Sequence, residues 1–420
     1  MIKRLNRLLS EEKYKKMVSN FSYLAIINVA NKFLPLLVIP YIIRTIGVEK
    51  YGVIVFASAI IMYFQILVRY SFDLTATKYI SYHRDHINKL SHYFWNVMAT
   101  IILLFFFGLI IFLIIVFSYE QFYLEKEVFL FSFVFVLANA LVPMWFFQGI
   151  EEMKYIAIFN IISKILYTVT IFIFIQEESD YIWIPLLNSL SFLFVGIYAI
   201  IFIWKKYHIQ FKIPSSVKIL ELLKEGKDIF FSNMSVTFYT TTNTVLLGLL
   251  TNYTIVGIYG LADTLFSAYS QIIKTYSTVI YPYLVRFSNK KEELYTQAKK
   301  FFFLYIVILI TGSVLLFMIS ELTIEILFGE GHDKSILVLQ ILAVSLLLEP
   351  LGGFFTRYLA IKEEYKTIKI ITFQTMIINF IIIIPLILLY EEIGVALAFI
   401  ILSVIQVILN LNKNRELIRW

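Results

Sequence analysis

Between Phe21 and Ile43 the chain runs 23 residues with one charge, Lys32, and runs of this kind recur to its far end. A helix rises about 1.5 Å per residue, so roughly 20 apolar residues cross a hydrocarbon layer about 30 Å thick. Twelve such spans are predicted, at 21–43, 50–69, 93–118, 127–149, 155–175, 181–204, 228–250, 254–283, 300–319, 335–358, 367–390 and 392–411. The expected fold class is all-α, a polytopic membrane protein of twelve transmembrane helices. A residue content that is 60% hydrophobic and 15% charged agrees, since a soluble domain carries about 25% charged residues.

The loops between the spans orient them. Of the 36 lysines and arginines, 29 fall on the side of the two termini and four on the other, the remaining three being inside spans. Cytoplasmic loops carry the excess of Lys and Arg, so both termini are expected in the cytoplasm. A miscounted span would invert every later loop and destroy the split. The net charge of +7 is therefore a membrane signal, not a nucleic-acid surface. Residues 1–20 alternate Lys3, Arg4, Arg7, Lys13, Lys15 and Lys16 with Ile2, Leu5, Leu8 and Leu9, the pattern of a short interfacial amphipathic helix. The apolar run that follows is too long for a cleaved leader and lacks a small-residue cleavage site. With no cysteine there are no disulfides, thiolate metal sites or Cys nucleophiles.

The longest polar break, 205–227, contains Pro214-Ser-Ser216 and divides the spans six and six. The expected organisation is a cytoplasmic N-terminus at 1–20, a six-helix bundle at 21–204, a cytoplasmic linker at 205–227, a second bundle at 228–411 and a tail at 412–420. An offset of 205 residues pairs Asn28 with Asn233, Gly52 with Gly257 and Ala57 with Ala262. The same offset places Ser58, Gln65 and Arg69 opposite Asp263, Ser270 and Lys274. Each trio lines one helical stripe. Equal topology in the two halves predicts a pseudo-two-fold axis along the membrane normal, with a site where the halves meet.

Charges inside spans mark that site, because a lysine or arginine at the bilayer centre costs about 2.5 to 3.5 kcal/mol by insertion scales. Lys32, with Asn28 and Asn31 at i−4 and i−1, forms a polar face above the helix-bending Pro35 and Pro40. Lys164 and Lys274 are the other cations inside spans, Arg69, tallied with the loops, stands at the inner end of the second span, and Asp263 and Glu349 are the acids, the latter beside the kink-forming Pro350. Each has a plain alternative: Arg69 as a headgroup anchor, Lys164 as a snorkelling side chain, Asp263 paired with Lys274. Further polar stripes, Asn160, Ser163, Lys164, Tyr167 and Thr168, then Ser345, Glu349, Gly352 and Thr356, argue instead for a shared hydrated cavity. Its excess of base over acid predicts an anionic cargo, phosphate suiting both Lys and Arg. Thr240–Thr244 and Tyr259, Tyr269 and Tyr276 could offer hydroxyls to a sugar or fill ordinary helix contacts. No Walker motif, H-E-x-x-H or G-x-S-x-G occurs, so no enzyme, cofactor or metal is expected. His83 and His86 have no third ligand.

The stretches Pro35–Gly52, Ser71-Phe-Asp-Leu-Thr-Ala-Thr-Lys78 and Trp145-Phe-Phe-Gln-Gly-Ile-Glu-Glu-Met-Lys-Tyr155 resemble bacterial polysaccharide flippases of the Wzx type. These belong to the multidrug, oligosaccharidyl-lipid and polysaccharide exporter superfamily. Gly257-Ile-Tyr-Gly-Leu-Ala-Asp263 and Tyr281-Pro-Tyr283 are similar too, and Ser71 departs where the family often has Gly. The resemblance implies two bundles around an alternately opening cationic lumen in a bacterial inner membrane. It implies a cargo of undecaprenyl-diphosphate-linked oligosaccharide flipped outward for O-antigen, capsule or similar polymers, and association with polymerase and chain-length machinery. Lys32, Arg69, Lys164 and Lys274, with Asn28 and Asn31, become the expected substrate-binding set. Asp263 and Glu349 become candidates for coupling to H+ or Na+. A drug or metabolite exporter of the same superfamily is the alternative, with a lipid-linked glycan polymerase or ligase behind it.

Overall fold

The computed structural model describes residues 12–414, within which the side chains of Asn28, Asn31 and Lys32 lie outside the described set. Most of the expected amphipathic N-terminus and the last six residues of the tail are outside it too. Every regular element among the described residues is helical. In chain order the α-helices are α1 (Glu12–Arg69), α2 (Phe72–His83), α3 (Ile87–Ser118), α4 (Glu120–Leu124), α5 (Lys126–Ala140), α6 (Met144–Gly149), α7 (Met153–Phe174) and, after a short 3-10 helix at Glu178–Ile182, α8 (Trp183–Lys206). They continue with α9 (Ser216–Leu250), α10 (Tyr253–Val285), α11 (Lys291–Phe328), α12 (Asp333–Ile361) and α13 (Tyr365–Lys413).

The twelve expected spans fall on helix, the fourth (127–149) in two pieces, α5 and α6, interrupted at 141–143. Two pairs are fused: α1 holds the first two and breaks at Gly47 (φ 75°, ψ 169°), and α13 holds the last two and breaks at Glu391 (φ 50°, ψ −123°). The helix runs through Pro35 and Pro40 and is interrupted at Gly47. The reason is conformational: only glycine adopts that left-handed, extended geometry without a Cβ penalty. Pro350 likewise sits inside an unbroken α12. Eight helices among the described residues are long and apolar enough to cross a bilayer. They contain nine of the expected spans, one of them short of its last residue, and the first from Leu34 on, whereas α9 and α10, equally long, are more polar.

Two compact units are present. Unit one joins the described residues up to Ile46 to Phe56–Thr241, and unit two joins Gly47–Val55 to Thr242 onward. Unit one is built on phenylalanine: Phe56 lies against Phe122 and Phe129, and Phe112 stacks on Phe133 at 4.4 Å. The Trp145–Tyr155 motif is part of this packing. Its Trp145, Phe146 and Phe147 are buried, and Thr77 Oγ1 on α2 bonds the Trp145 carbonyl at 3.2 Å. Residues 207–215 are fastened to α3, where Ser91 Oγ and Asn96 Oδ1 accept from the Gln210 and Ser215 amides and Trp95 Nε1 donates to the Gln210 carbonyl. At the α1–α2 turn, Ser71 is buried against α9, where a Cβ on Gly226 would lie 1.9 Å from Ser71 Oγ. The glycine absent at position 71 is supplied by the facing helix.

Unit two centres on α12, which packs on α10, α11 and α13. Polar side chains join the helices: Ser313 Oγ donates to the Ala343 carbonyl at 2.6 Å, Ser335 Oγ to the Ile258 carbonyl at 3.0 Å, and Asn379 Nδ2 to Asn243 Oδ1 at 2.9 Å. Small residues and such bonds are what holds helices together where lipid removes the hydrophobic drive. Gly52 and Gly257 are the closest approach. A Cβ on Gly52 would meet the Tyr253 carbonyl at 1.8 Å, and one on Gly257 the Val48 carbonyl at 2.1 Å. In the 205-residue register Val48 corresponds to Tyr253 and Gly52 to Gly257, so the two contacts are one contact made twice. Facing away from these cores, Ile110, Ile114, Phe194, Met318 and Leu388 are exposed, an apolar surface suited to acyl chains.

Candidate functional site

The end of α1 carries Arg69 into unit one. Its Nη2 is 2.8 Å from Asp73 Oδ2 and its Nη1 donates to Asn139 Oδ1 at 3.1 Å. Asp73 belongs to the Ser71-Phe-Asp motif, one helical turn on, where the chain turns at Tyr70 (φ 50°) and α2 begins. The pair is not sealed, the side chains being 28% and 46% exposed. Lys164 is half-buried on α7, one turn after Asn160, whose Oδ1 is buried with no hydrogen-bond partner among the described residues. Ser163 leaves the expected stripe, for its Oγ donates to the Phe159 and Asn160 carbonyls of its own helix.

In unit two, Lys274 Nζ lies 2.9 Å from Glu349 Oε2, and Ser270 Oγ is 3.5 Å from the same oxygen. Two stripes read separately from sequence, on α10 and α12, thus meet at one carboxylate. Lys274 finds its partner on α12, in place of Asp263 on its own helix. The pair is 35% and 24% exposed, so it is not enclosed by the helices around it. Asp263 is half-buried, within electrostatic range of the buried Tyr51 and Tyr259, and Tyr51 Oη stands 3.3 Å from Thr264 Oγ1. The residues considered for sugar binding are mostly committed inward. Thr241, Thr242 and Asn243 are buried, and Tyr276 Oη donates to the Phe301 carbonyl at 3.1 Å. The side chains of Lys32, Asn28 and Asn31 lie outside the described set.

One cation escaped the sequence reading. Arg357, counted there among loop charges, sits half-buried on α12, with Nη1 2.6 Å from Ser277 Oγ and Nη2 3.3 Å from Thr278 Oγ1. The available signal was the Ser277-Thr278 pair at i+3 and i+4 from Lys274, which extends the polar stripe of α10 toward that end of the helix.

Long membrane helices carrying partly exposed ion pairs define a transporter-like membrane protein, and solved structures share the fold. An inward-facing multidrug resistance MATE family transporter of the MOP superfamily superposes with a TM-score of 0.69 at 14% identity, over 94% of this chain and 97% of that one. Lipid II flippase MurJ in an inward closed conformation gives 0.60 at 16% identity over 87% of each. Sequence then narrows the class. Residues 17–288 match the family described as polysaccharide biosynthesis protein, and the chain belongs to it. It is 29% identical over 384 residues to an Escherichia coli (strain K12) protein named "Putative O-antigen transporter", covering 90% of this chain and 92% of that one. A Shigella dysenteriae protein of the same name is 26% identical over 64% of this chain and 67% of its own.

Proposed function

We propose that this chain flips a lipid-linked oligosaccharide repeat unit, carried on undecaprenyl diphosphate, from the cytoplasmic to the outer leaflet of a bacterial inner membrane. The observation that carries the reading is similarity, over about nine-tenths of both chains, to a protein named for O-antigen transport, joined to cations that stay partly exposed on membrane helices. Arg69 and Lys274, with Lys32 and Lys164, supply positive charge to the diphosphate. The lipid tail remains in the bilayer throughout. Asn28 and Asn31 flank Lys32 as hydrogen-bonding groups.

A binding cation must release its internal partner. Asp73 and Glu349 hold the positions on Arg69 and Lys274 that phosphoryl oxygens would take, so a diphosphate competes with these carboxylates for the same cations. With the cell interior negative, outward movement of an anion gains about 2.3 kcal/mol per charge per 100 mV. Glu349 and Asp263 are the groups that H+ or Na+ would neutralise if outward transport is coupled to an ion.

The test is leaflet transfer in vesicles reconstituted with a defined diphosphate-linked oligosaccharide. Lys32→Ala, Arg69→Ala and Lys274→Ala should each slow transfer at least tenfold while leaving protein in the membrane. Wild-type transfer by all three removes the cationic route, and efflux of a cationic dye without glycan transfer favours a drug exporter.

A further inference from the structure

The cations Arg69 and Lys274 each face a carboxylate. Arg357 does not. Among the described residues no carboxylate lies within 4 Å of it, and its guanidinium rests on two neutral hydroxyls, Ser277 Oγ at 2.6 Å and Thr278 Oγ1 at 3.3 Å. Both hydroxyls have already spent their protons. Ser277 and Thr278 each donate to the Lys274 carbonyl at 3.2 Å, so only lone pairs remain for the arginine. Ser277 is buried, and the fully buried Tyr305 stacks on neighbouring Tyr276 with centroids 5.0 Å apart, so the braces are fixed.

An arginine has five N–H donors. Two are used here, leaving three, along with a full positive charge that neutral oxygens do not cancel. Lys274, Glu349 and Arg357 together carry one net positive charge, Glu349 and Arg357 lying about two turns apart on α12. Held in place with donors to spare, a guanidinium matches a phosphoryl group, whose oxygens accept paired N–H bonds in the same plane.

We propose that Arg357 is a phosphoryl-binding residue of unit two, and that it takes the diphosphate of the cargo as that cargo enters from the inner face. This rests on the flippase reading and on the orientation set by the loop charges. An anionic phospholipid headgroup offers the same oxygens and is the other source of the chemistry.

The experiment uses the full chain in phosphatidylcholine nanodiscs with inorganic pyrophosphate titrated by calorimetry. Charged hydrogen bonds are worth about 1.5 to 3 kcal/mol, so Arg357→Gln should weaken binding by about tenfold or more, and Arg357→Lys, which keeps charge without the fork, by less. Ser277→Ala with Thr278→Val, which frees the guanidinium without removing it, should cost about threefold. An unchanged affinity in Arg357→Gln overturns the proposal. So does lowered thermal stability with unchanged affinity, which would make Arg357 a brace between α10 and α12. Should Arg357→Gln not fold, the hydroxyl variant decides, and wild-type affinity there overturns it. In a second arm phosphatidylglycerol replaces part of the phosphatidylcholine. Arg357-dependent thermal stabilisation there, without pyrophosphate binding, gives the site to the bilayer and overturns the cargo assignment. If pyrophosphate binds through Arg357 but no oligosaccharide is flipped, the functional reading fails and the phosphoryl site stands. If Arg357→Gln flips cargo at the wild-type rate, the site falls and the reading stands.

Discussion

Lys274 and Glu349 illustrate what a partly exposed ion pair can and cannot do. At 35% and 24% exposure the pair is not deeply buried, and its net contribution to stability is modest. Losing one partner is another matter, because the survivor is a charge in a membrane helix without compensation. Glu349→Gln should therefore lower stability by about 1 to 2 kcal/mol, and adding Lys274→Gln should restore part of it, as a double-mutant cycle of melting midpoints would show. The same change should act oppositely on binding. With its internal competitor gone, Lys274 should hold pyrophosphate about threefold more tightly in Glu349→Gln, and weaker binding would mean that Glu349 orients the lysine instead. The cations themselves were legible in sequence, because a charge within an apolar run has few uses. Their partners were not: Glu349 lies on a different helix, and nothing local says which acid Lys274 meets. Arg357 was missed because an arginine near the end of a span also reads as a headgroup anchor.

Among the elements, span positions were readable to within a few residues because bilayer thickness fixes helix length, whereas breaks and crossings were not. The break at Gly47 has no local signature that sets it apart from the prolines before it, and nothing in sequence says that Gly52 and Gly257 each face a carbonyl of the other helix. That contact gives a sharp expectation. Gly52→Ala and Gly257→Ala would each place a Cβ about 2 Å from a backbone oxygen, so each should cost about 1 to 3 kcal/mol, readable as a lower melting temperature in detergent. Because the two contacts are equivalent, their costs should be alike, and a large asymmetry would argue against the repeat. Ser71 and Gly226 behave differently. There the obstacle to a Cβ is a hydroxyl, so Gly226→Ala should destabilise in the native background and be largely rescued by Ser71→Gly, which removes the clashing atom. Failure of rescue would place the constraint on Tyr70, whose ring carbon lies 2.9 Å from the same point.

At the scale of the whole molecule, the question left by α9 and α10 is whether helices this polar cross the bilayer. They are 35 and 33 residues long, roughly 50 Å at helical rise, ample for the hydrocarbon layer. Much of what lowers their apolar character is satisfied within the fold: Asn243 by Asn379, Ser270 and Lys274 by Glu349. Polar side chains with internal partners do not forbid crossing, because the bilayer penalises only those left facing lipid. The absence of cysteine makes this measurable without first altering the chain. Single cysteines at Asp85 and Lys290 should react with a membrane-impermeant maleimide only once the cytoplasmic side is opened, and one at Ser179 should react from outside. Asn252→Cys, at the turn between the two polar helices, decides the matter. It gives up a helix cap worth about 1 kcal/mol, since Asn252 Oδ1 accepts from the Ile255 amide, yet should be labelled from outside in intact cells. Were it reactive only from the cytoplasm, α9 and α10 would form a re-entrant hairpin and the chain would have ten crossings. Both termini would remain inside and the loop charges on either side would keep their signs, which is why labelling at this turn, and not the charge distribution, separates ten crossings from twelve.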